Sequence, residues 1–175
     1  PFQSGSNREL AEMNRRYTRE KYLSLLEYAY SVMPELSVTS DVIVGFPGET
    51  YEEFRETVSL VQQANFTSMY TFIFSPREGT KAASMPDPVS REEKGRWFKE
   101  LLDAQEVIAA KRTASAVGKV YRVLCESVSK SGLIEGRTEG NVIVEFPADS
   151  SVIGTFRNVK VTESLTWILR GELAD

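Results

Sequence analysis

Three short stretches combine residue types suited to holding a ligand. Gln3-Ser4-Gly5-Ser6 offers an amide and two hydroxyls beside a permissive glycine, groups that can hydrogen-bond a ribose or a carboxylate. Gly45-Phe46-Pro47-Gly48-Glu49 pairs a strand-end glycine, where another group can approach closely, with a Pro-Gly step suited to a type II turn. The helix predicted to follow has free N–H groups at its start, which favour an anion. Ser75-Pro76-Arg77-Glu78-Gly79-Thr80 presents one cation, Arg77, in a Pro- and Gly-bounded loop. Each stretch also has a plainer account: turn plus helix cap for the first two, a solvated loop charge for the third. Arg15-Arg16 could clamp a carboxylate or phosphate, or simply end a helix in solvent. Asp41 interrupts an apolar strand and needs a partner, for which Arg15 is a candidate; a structural ion pair and a ligand contact both remain open.

Other chemistries are excluded by count. The 175 residues contain no histidine and a single cysteine, Cys125. Neither a zinc nor an iron–sulfur site can be assembled from such a set, and Ser-His or Cys-His catalysis is absent. No catalytic residue and no metal ligand is assigned. One cysteine allows no internal disulfide, in keeping with a reducing, cytoplasmic setting. With 41% hydrophobic and 26% charged residues the composition is that of a globular protein, and no apolar run reaches the ~20 residues of a membrane span. Net charge is −4, so nucleic acid would need a local basic face. The start lacks both Met and a signal-peptide pattern, and Pro1-Phe2 reads as the tail of a strand; the sequence is expected to begin inside a domain.

The elements that would position these stretches alternate. Ser6-x-x-Glu9, Thr50-x-x-Glu53 and Ser90-x-x-Glu93 have the form of capping boxes, and Thr18 can cap a further helix. In that helix Tyr22, Leu25, Leu26, Ala29 and Met33 predict one buried face, closed by Pro34. Residues 37–46 and 68–75 read as strands, the first with the continuous apolar run Val42-Ile43-Val44 expected in a parallel sheet. Phe54, Val58 and Val61 mark a helix ending near Asn65, and Trp97, Leu101, Ala104 and Ile108 line a long final one. Strand and helix in turn argue an α/β sheet: the last strands and helices of an incomplete TIM-like barrel, residues 1–115. All three stretches would then lie at the carboxyl ends of the strands, where such folds bind ligands.

From residue 116 the pattern changes to five short β-type runs punctuated by Gly, which predicts a small antiparallel, OB-like β-barrel over 116–175. Here Arg122, Arg137, Arg157, Lys160 and Trp167 mix charge with an aromatic, as in barrels that bind single-stranded nucleic acid. Seven basic against eight acidic residues from Ala116 onward leave the segment without a basic excess.

Taken in order, the motifs resemble one family. Pro1-x-Gln3-Ser4-Gly5-Ser6, Met13-x-Arg15-x-Tyr17-Thr18, Ser40 to Thr50 (SDVIVGFPGET), Ser75-x-Arg77-x-Gly79-Thr80 and Gly136-Arg137-Thr138-x-x-Asn141 together resemble the C-terminal part of the MiaB-type radical S-adenosylmethionine (SAM) tRNA methylthiotransferases. The likeness covers the whole chain. It implies the end of a radical SAM barrel followed by a TRAM RNA-binding domain. It also implies an enzyme that adds a methylthio group to an isopentenylated adenosine beside the tRNA anticodon, using SAM and two [4Fe-4S] clusters. The C-x-x-x-C-x-x-C cluster loop and the N-terminal cluster domain are absent from this stretch, so the missing N-terminal half would be a required partner and the stretch alone should be inactive. Glu78 stands where relatives often have Pro. By position, Gln3, Ser4, Arg15, Asp41, Gly45, Glu49, Phe72 and Phe74 are expected near SAM. Arg77, Arg122, Arg137, Arg157, Lys160 and Trp167 are expected near the tRNA anticodon stem-loop. Alternatives are a sibling acting on threonylcarbamoyl adenosine, a free-standing RNA-binding module, and a phosphate-binding α/β enzyme without radical chemistry.

Overall fold

A computed structural model describes residues 1–174. The chain divides into two compact units, Pro1–Ile108 and Ala109–Asp175.

In the first unit, helix α1 (Asn7–Glu12) and helix α2 (Arg19–Val32) precede strand β1 (Thr39–Val44); helix α3 (Tyr51–Ala64), strand β2 (Ser68–Ile73) and most of helix α4 (Arg91–Ala114), whose last six residues belong to the second unit, follow. The two strands pair in parallel, Thr39 opposite Ser68 through Val44 opposite Ile73. Gln3 bridges the other side of β1 opposite Val42, also in parallel. Val42 and Val44 point into a core with Phe54, Leu60, Val61 and Leu101, where Phe2 stacks on Phe66 at 5.5 Å and Phe54 on Trp97 at 5.4 Å. Ring stacks of this kind fix side-chain orientation beyond simple area burial.

The helix starts follow their caps. Thr50 and Glu53 form the full reciprocal box, and Asn65 ends α3 in the left-handed region at φ 52°. Ser6 caps α1 by accepting from the Glu9 N–H, but the Glu9 carboxylate turns away to Ser4, so that box is only half made. The predicted face of α2 is rotated. Tyr22, Leu23 and Leu26 pack on the core and the Tyr30 hydroxyl donates to the Ala64 carbonyl, while Leu25 (58% exposed) and Met33 face solvent. Leu25 lies about 100° round the helix from Leu26, beyond the edge of the packed stripe, and Met33 lies past the last helical residue.

The second unit is a closed barrel of β3 (Val120–Val128), β4 (Ile134–Thr138), β5 (Ile143–Phe146), β6 (Phe156–Ser164) and β7 (Ile168–Leu173), in the order β3-β4-β5-β7-β6. All five strands fall where expected, but the barrel is mixed: β5 and β7 run parallel, Ile143 opposite Ile168. Geometry demands this. Strand directions around a ring can alternate completely only when the number is even, so a closed five-stranded barrel must contain a parallel pair. Val123, Cys125, Ile134, Val144, Phe146, Val159, Val161 and Leu169 fill its interior. Among the described residues no helix is long and apolar enough to cross a membrane.

Candidate functional site

Parallel pairing carries Ser4–Ser6, Gly45–Glu49 and the segment from Phe74 to Thr80 off the same end of the sheet. Gln3 joins it by donating its N–H to the Asp41 carbonyl (3.0 Å) and accepting from the Ile43 N–H (2.9 Å). It does so at φ 68°, unusual for a residue with a side chain, and buries that side chain at the rim. Ser4 is buried and fully engaged. Its hydroxyl donates to Glu9 Oε2 at 2.6 Å and accepts from the Ser6 N–H at 3.0 Å.

The turn after β1 has the expected type II geometry: the Glu49 N–H donates to the Phe46 carbonyl (2.9 Å), with Gly48 at φ 78°. Glu49 folds back so that Oε2 accepts the Gly45 N–H. The space above Gly45, however, is already filled. A Cβ there would lie 2.4 Å from Cδ of Lys94, whose stem crosses the glycine. Gly45 thus makes room for a side chain of α4 rather than directly for a ligand. Lys94 is 5% exposed; its ammonium pairs with Asp87 at 2.5 Å and lies 5.7 Å from the Phe74 ring centre. Phe74 packs edge-on against Phe46 at 5.5 Å. Lys94 could not be singled out in the sequence, because one lysine in the first turns of a charged helix resembles any solvated neighbour.

Behind the rim sit three carboxylates: Glu49, expected near SAM, and Glu9 and Glu53, which the sequence offered only as members of capping boxes. Glu9 and Glu49 are buried, and each leaves Oε1 without a hydrogen-bond partner. Burial pushes Glu9 up to about 7, against the pull of Ser4, with the Glu53 charge adding to the rise. Burial and the Glu9 charge push Glu49 up to about 8. Glu53 goes the other way, to about 2, held there chiefly by Arg8. The Arg8 guanidinium donates to both Glu53 oxygens (2.5 and 2.7 Å) and to the Gly48 carbonyl (2.9 Å). This single arginine therefore ties the first rim loop to the second. Arg8→Ala is expected to lose about 1–2 kcal/mol, because solvent screens the half-exposed guanidinium but two oxygens and a carbonyl lose their donor. Urea denaturation at pH 7 measures it. A loss smaller in 1 M salt than in 0.1 M identifies the charge pair as its source.

The other expected rim residues are less gathered. Arg15 is exposed and forms no ion pair with Asp41 among the described residues; Asp41 is half-buried, with its backbone carbonyl rather than its carboxylate serving the sheet. The anticipated pair fails because Arg15 leaves α1 on the solvent side, its N–H held by the Leu10 carbonyl at 2.8 Å. Phe72 is exposed, opposite Ile43. Arg77 is exposed in the loop after β2, where its carbonyl accepts the Thr80 hydroxyl at 2.7 Å.

On the barrel, register sorts the remaining candidates. Arg137, Leu124 and Phe156 form one row across β4, β3 and β6; Arg122 pairs with Asn158 and Val120 with Lys160. Arg122, Arg137 and Lys160 therefore share one outer face. Phe156, one of the aromatics interleaved with these charges in the sequence, lies there 46% exposed with the Arg122 guanidinium 3.9 Å from its ring centre. Its signal was present as an aromatic at the outward parity of β6. The two arginines are held by acids, Arg122 by Glu139 at 3.7 Å and Arg137 by Glu126 at 3.2 Å. Arg157 has the opposite parity, and Trp167 sits exposed in the β6–β7 turn, so neither joins this face.

Residues 1–61 match the radical SAM superfamily and residues 114–174 match the TRAM domain. Over its whole length the chain is 44% identical to the tRNA-2-methylthio-N(6)-dimethylallyladenosine synthase of Thermoanaerobacter sp. (strain X514) and 46% identical to that of Geobacillus kaustophilus (strain HTA426). The corresponding protein of Acetivibrio thermocellus is 43% identical over 99% of the chain. The chain spans 38%, 33% and 36% of those three proteins, about a third of each. A parallel sheet with its loops on one rim, a closed five-stranded barrel after it and these matches agree: the chain carries a radical SAM superfamily portion over residues 1–61 and, after it, a TRAM domain over residues 114–174.

Proposed function

We propose that this chain is the C-terminal part of a cytoplasmic radical SAM methylthiotransferase that adds a methylthio group to dimethylallylated (isopentenylated) adenosine beside the anticodon of tRNA. The observation that carries this reading is the likeness, continuous across both portions, to proteins named for that activity.

The rim supplies donors and acceptors that suit SAM. The Gln3 amide makes no hydrogen bond among the described residues, and buried Glu9 and Glu49 each hold an oxygen without a hydrogen-bond partner. In this reading Gln3 and Glu49 with the strand end at Phe72 and Phe74 take the cofactor, while Ser4, Arg15, Asp41 and Gly45 support it. Bound SAM would supply a deoxyadenosyl radical and the methyl group. This chain's residues bind it, orient it and keep water away. They do not fit an iron–sulfur cluster: the one cysteine, Cys125, is buried in the barrel. Two [4Fe-4S] clusters would be held by the N-terminal half of the protein.

Residues 116–175 would grip the anticodon stem-loop through Arg122, Arg137 and Lys160 with Phe156 as a stacking surface and Arg157 and Trp167 flanking. Arg77, in the 1–115 portion, would add a further RNA contact. Because Arg122 and Arg137 are acid-paired, phosphates must displace carboxylates, which lends selectivity more than raw affinity. Mass spectrometry of tRNA nucleosides tests the reading. A strain lacking the gene should lose the 2-methylthio mark from dimethylallyladenosine and regain it with the intact gene. Loss from threonylcarbamoyladenosine would favour the sibling activity, and no change in either would leave an RNA-binding module.

A further inference from the structure

We infer that Lys94 is a positioning residue for the cofactor rim, with two separable parts: its stem holds the Gly45–Glu49 turn and its ammonium fastens the loop of residues 74–90 beside that turn. The inference rests on the reading of the rim as a SAM site. Its basis is geometric. A lysine ammonium is strongly hydrated, and burying one is costly unless it is paired. Lys94 is nonetheless buried, in the first turns of α4, where Ser90 caps the helix by accepting from the Glu93 N–H (3.1 Å).

Two sets of contacts offset that cost. Its methylenes lie on Gly45, so closely that any side chain there would collide with Cγ and Cδ. The turn that follows is thereby backed by hydrocarbon on the α4 side, while Glu49 holds the Gly45 N–H from within. Its ammonium meets Asp87, exposed in the Pro-rich loop, and rests near the Phe74 ring at the loop's other end. One side chain thus touches both the second and the third rim segments. Lys94 touches no ligand itself. It acts through the placement of Gly45 and Phe74.

Substitution can take the two parts asunder. Lys94→Met keeps most of the stem and removes the charge; Lys94→Ala removes both. In the full-length protein with its clusters loaded, Lys94→Met should bind SAM within about twofold of wild type by calorimetry. Its 74–90 loop should be cut by trypsin, at Arg77 or Lys81, at least tenfold faster. Lys94→Ala should show the same faster cleavage and bind SAM at least tenfold more weakly, measured on the folded fraction. A purely structural lysine would lower the melting temperature in both variants and leave SAM affinity untouched, and that result overturns the inference. So does loop cleavage unchanged in both. Wild-type protein that fails to bind SAM would instead overturn the reading of the rim, and the positioning role with it. Wild type that binds while both variants bind equally well removes only Lys94.

Discussion

Gly5→Ala should destabilise the first unit by about 3 kcal/mol or more, the upper end of what overpacking costs. A Cβ on Gly5 would lie 2.5 Å from both the Glu56 carbonyl oxygen and Thr57 Cα, and 2.6 Å from the Glu56 carbonyl carbon. These are backbone atoms in the middle of α3, and no rotamer change moves them. The chain is also pinned there, because the Gly5 N–H donates to Thr57 Oγ1 at 2.8 Å. Either the first rim loop lifts off α3, losing that bond, or α3 shifts and Phe54 and Val58 leave their packing. Denaturant unfolding followed by tryptophan fluorescence reads the result, since Trp97 stacks on Phe54. A loss below ~1 kcal/mol would mean that α3 does not approach the loop as closely as described. By the same geometry, Thr57→Val, which keeps the shape and removes only the acceptor, should cost less than half as much.

The second large effect is on pH. Glu9 and Glu49 have folded-state values raised to about 7 and about 8, above their ordinary range near 4.5. The folded state therefore holds protons that the unfolded chain gives up. Stability contributed by these groups is full below about pH 4.5 and is lost as pH rises through 7 and 8. The loss amounts to several kcal/mol, since each tenfold difference in proton affinity between folded and unfolded chain corresponds to about 1.4 kcal/mol and the Glu9 charge adds to the rise of Glu49. Glu53 opposes this at the acid end: its value is lowered to about 2, so its contribution is present above 4.5 and vanishes as pH falls toward 2. The stability maximum should lie near pH 5. Glu9→Gln should flatten the alkaline limb by roughly half, with little change at pH 5. A profile flat from pH 5 to 8.5 in the unsubstituted protein would refute the buried-carboxylate account.

Much of the scaffold could be read in advance because its signals are local. Caps at Thr18 and Thr50, the stop at Pro34, the end of α3 near Asn65 and the type II turn at Pro47-Gly48 each depend on a few neighbouring residues. The five barrel strands were legible by alternation and glycine punctuation. What escaped depends on contacts distant in sequence. Gly45 announced an empty space, but only the packing of α4 shows Lys94 in it. Glu9 looked like the second half of a capping box, and the buried Ser4 hydroxyl drew it inward. Asp41 and Arg15 had the right charges for a pair, yet charge alone does not say which way a side chain leaves the backbone, and Arg15, after the end of α1, faces solvent.

The parallel contact of β5 with β7 bears on the order of synthesis. β7 is the last of the five strands to be made and the one that joins both neighbours at once, lying between β5 and β6. A nascent chain that has not yet reached Ile168 holds four of the five strands, with β5 and β6 as two open edges that can pair with other chains. The outer face on β3, β4 and β6 proposed to meet RNA can be laid out before that moment, but it cannot be rigid. It becomes solid only once β7 has left the ribosome, and a chain terminated shortly before residue 168 would be released with its edges unprotected.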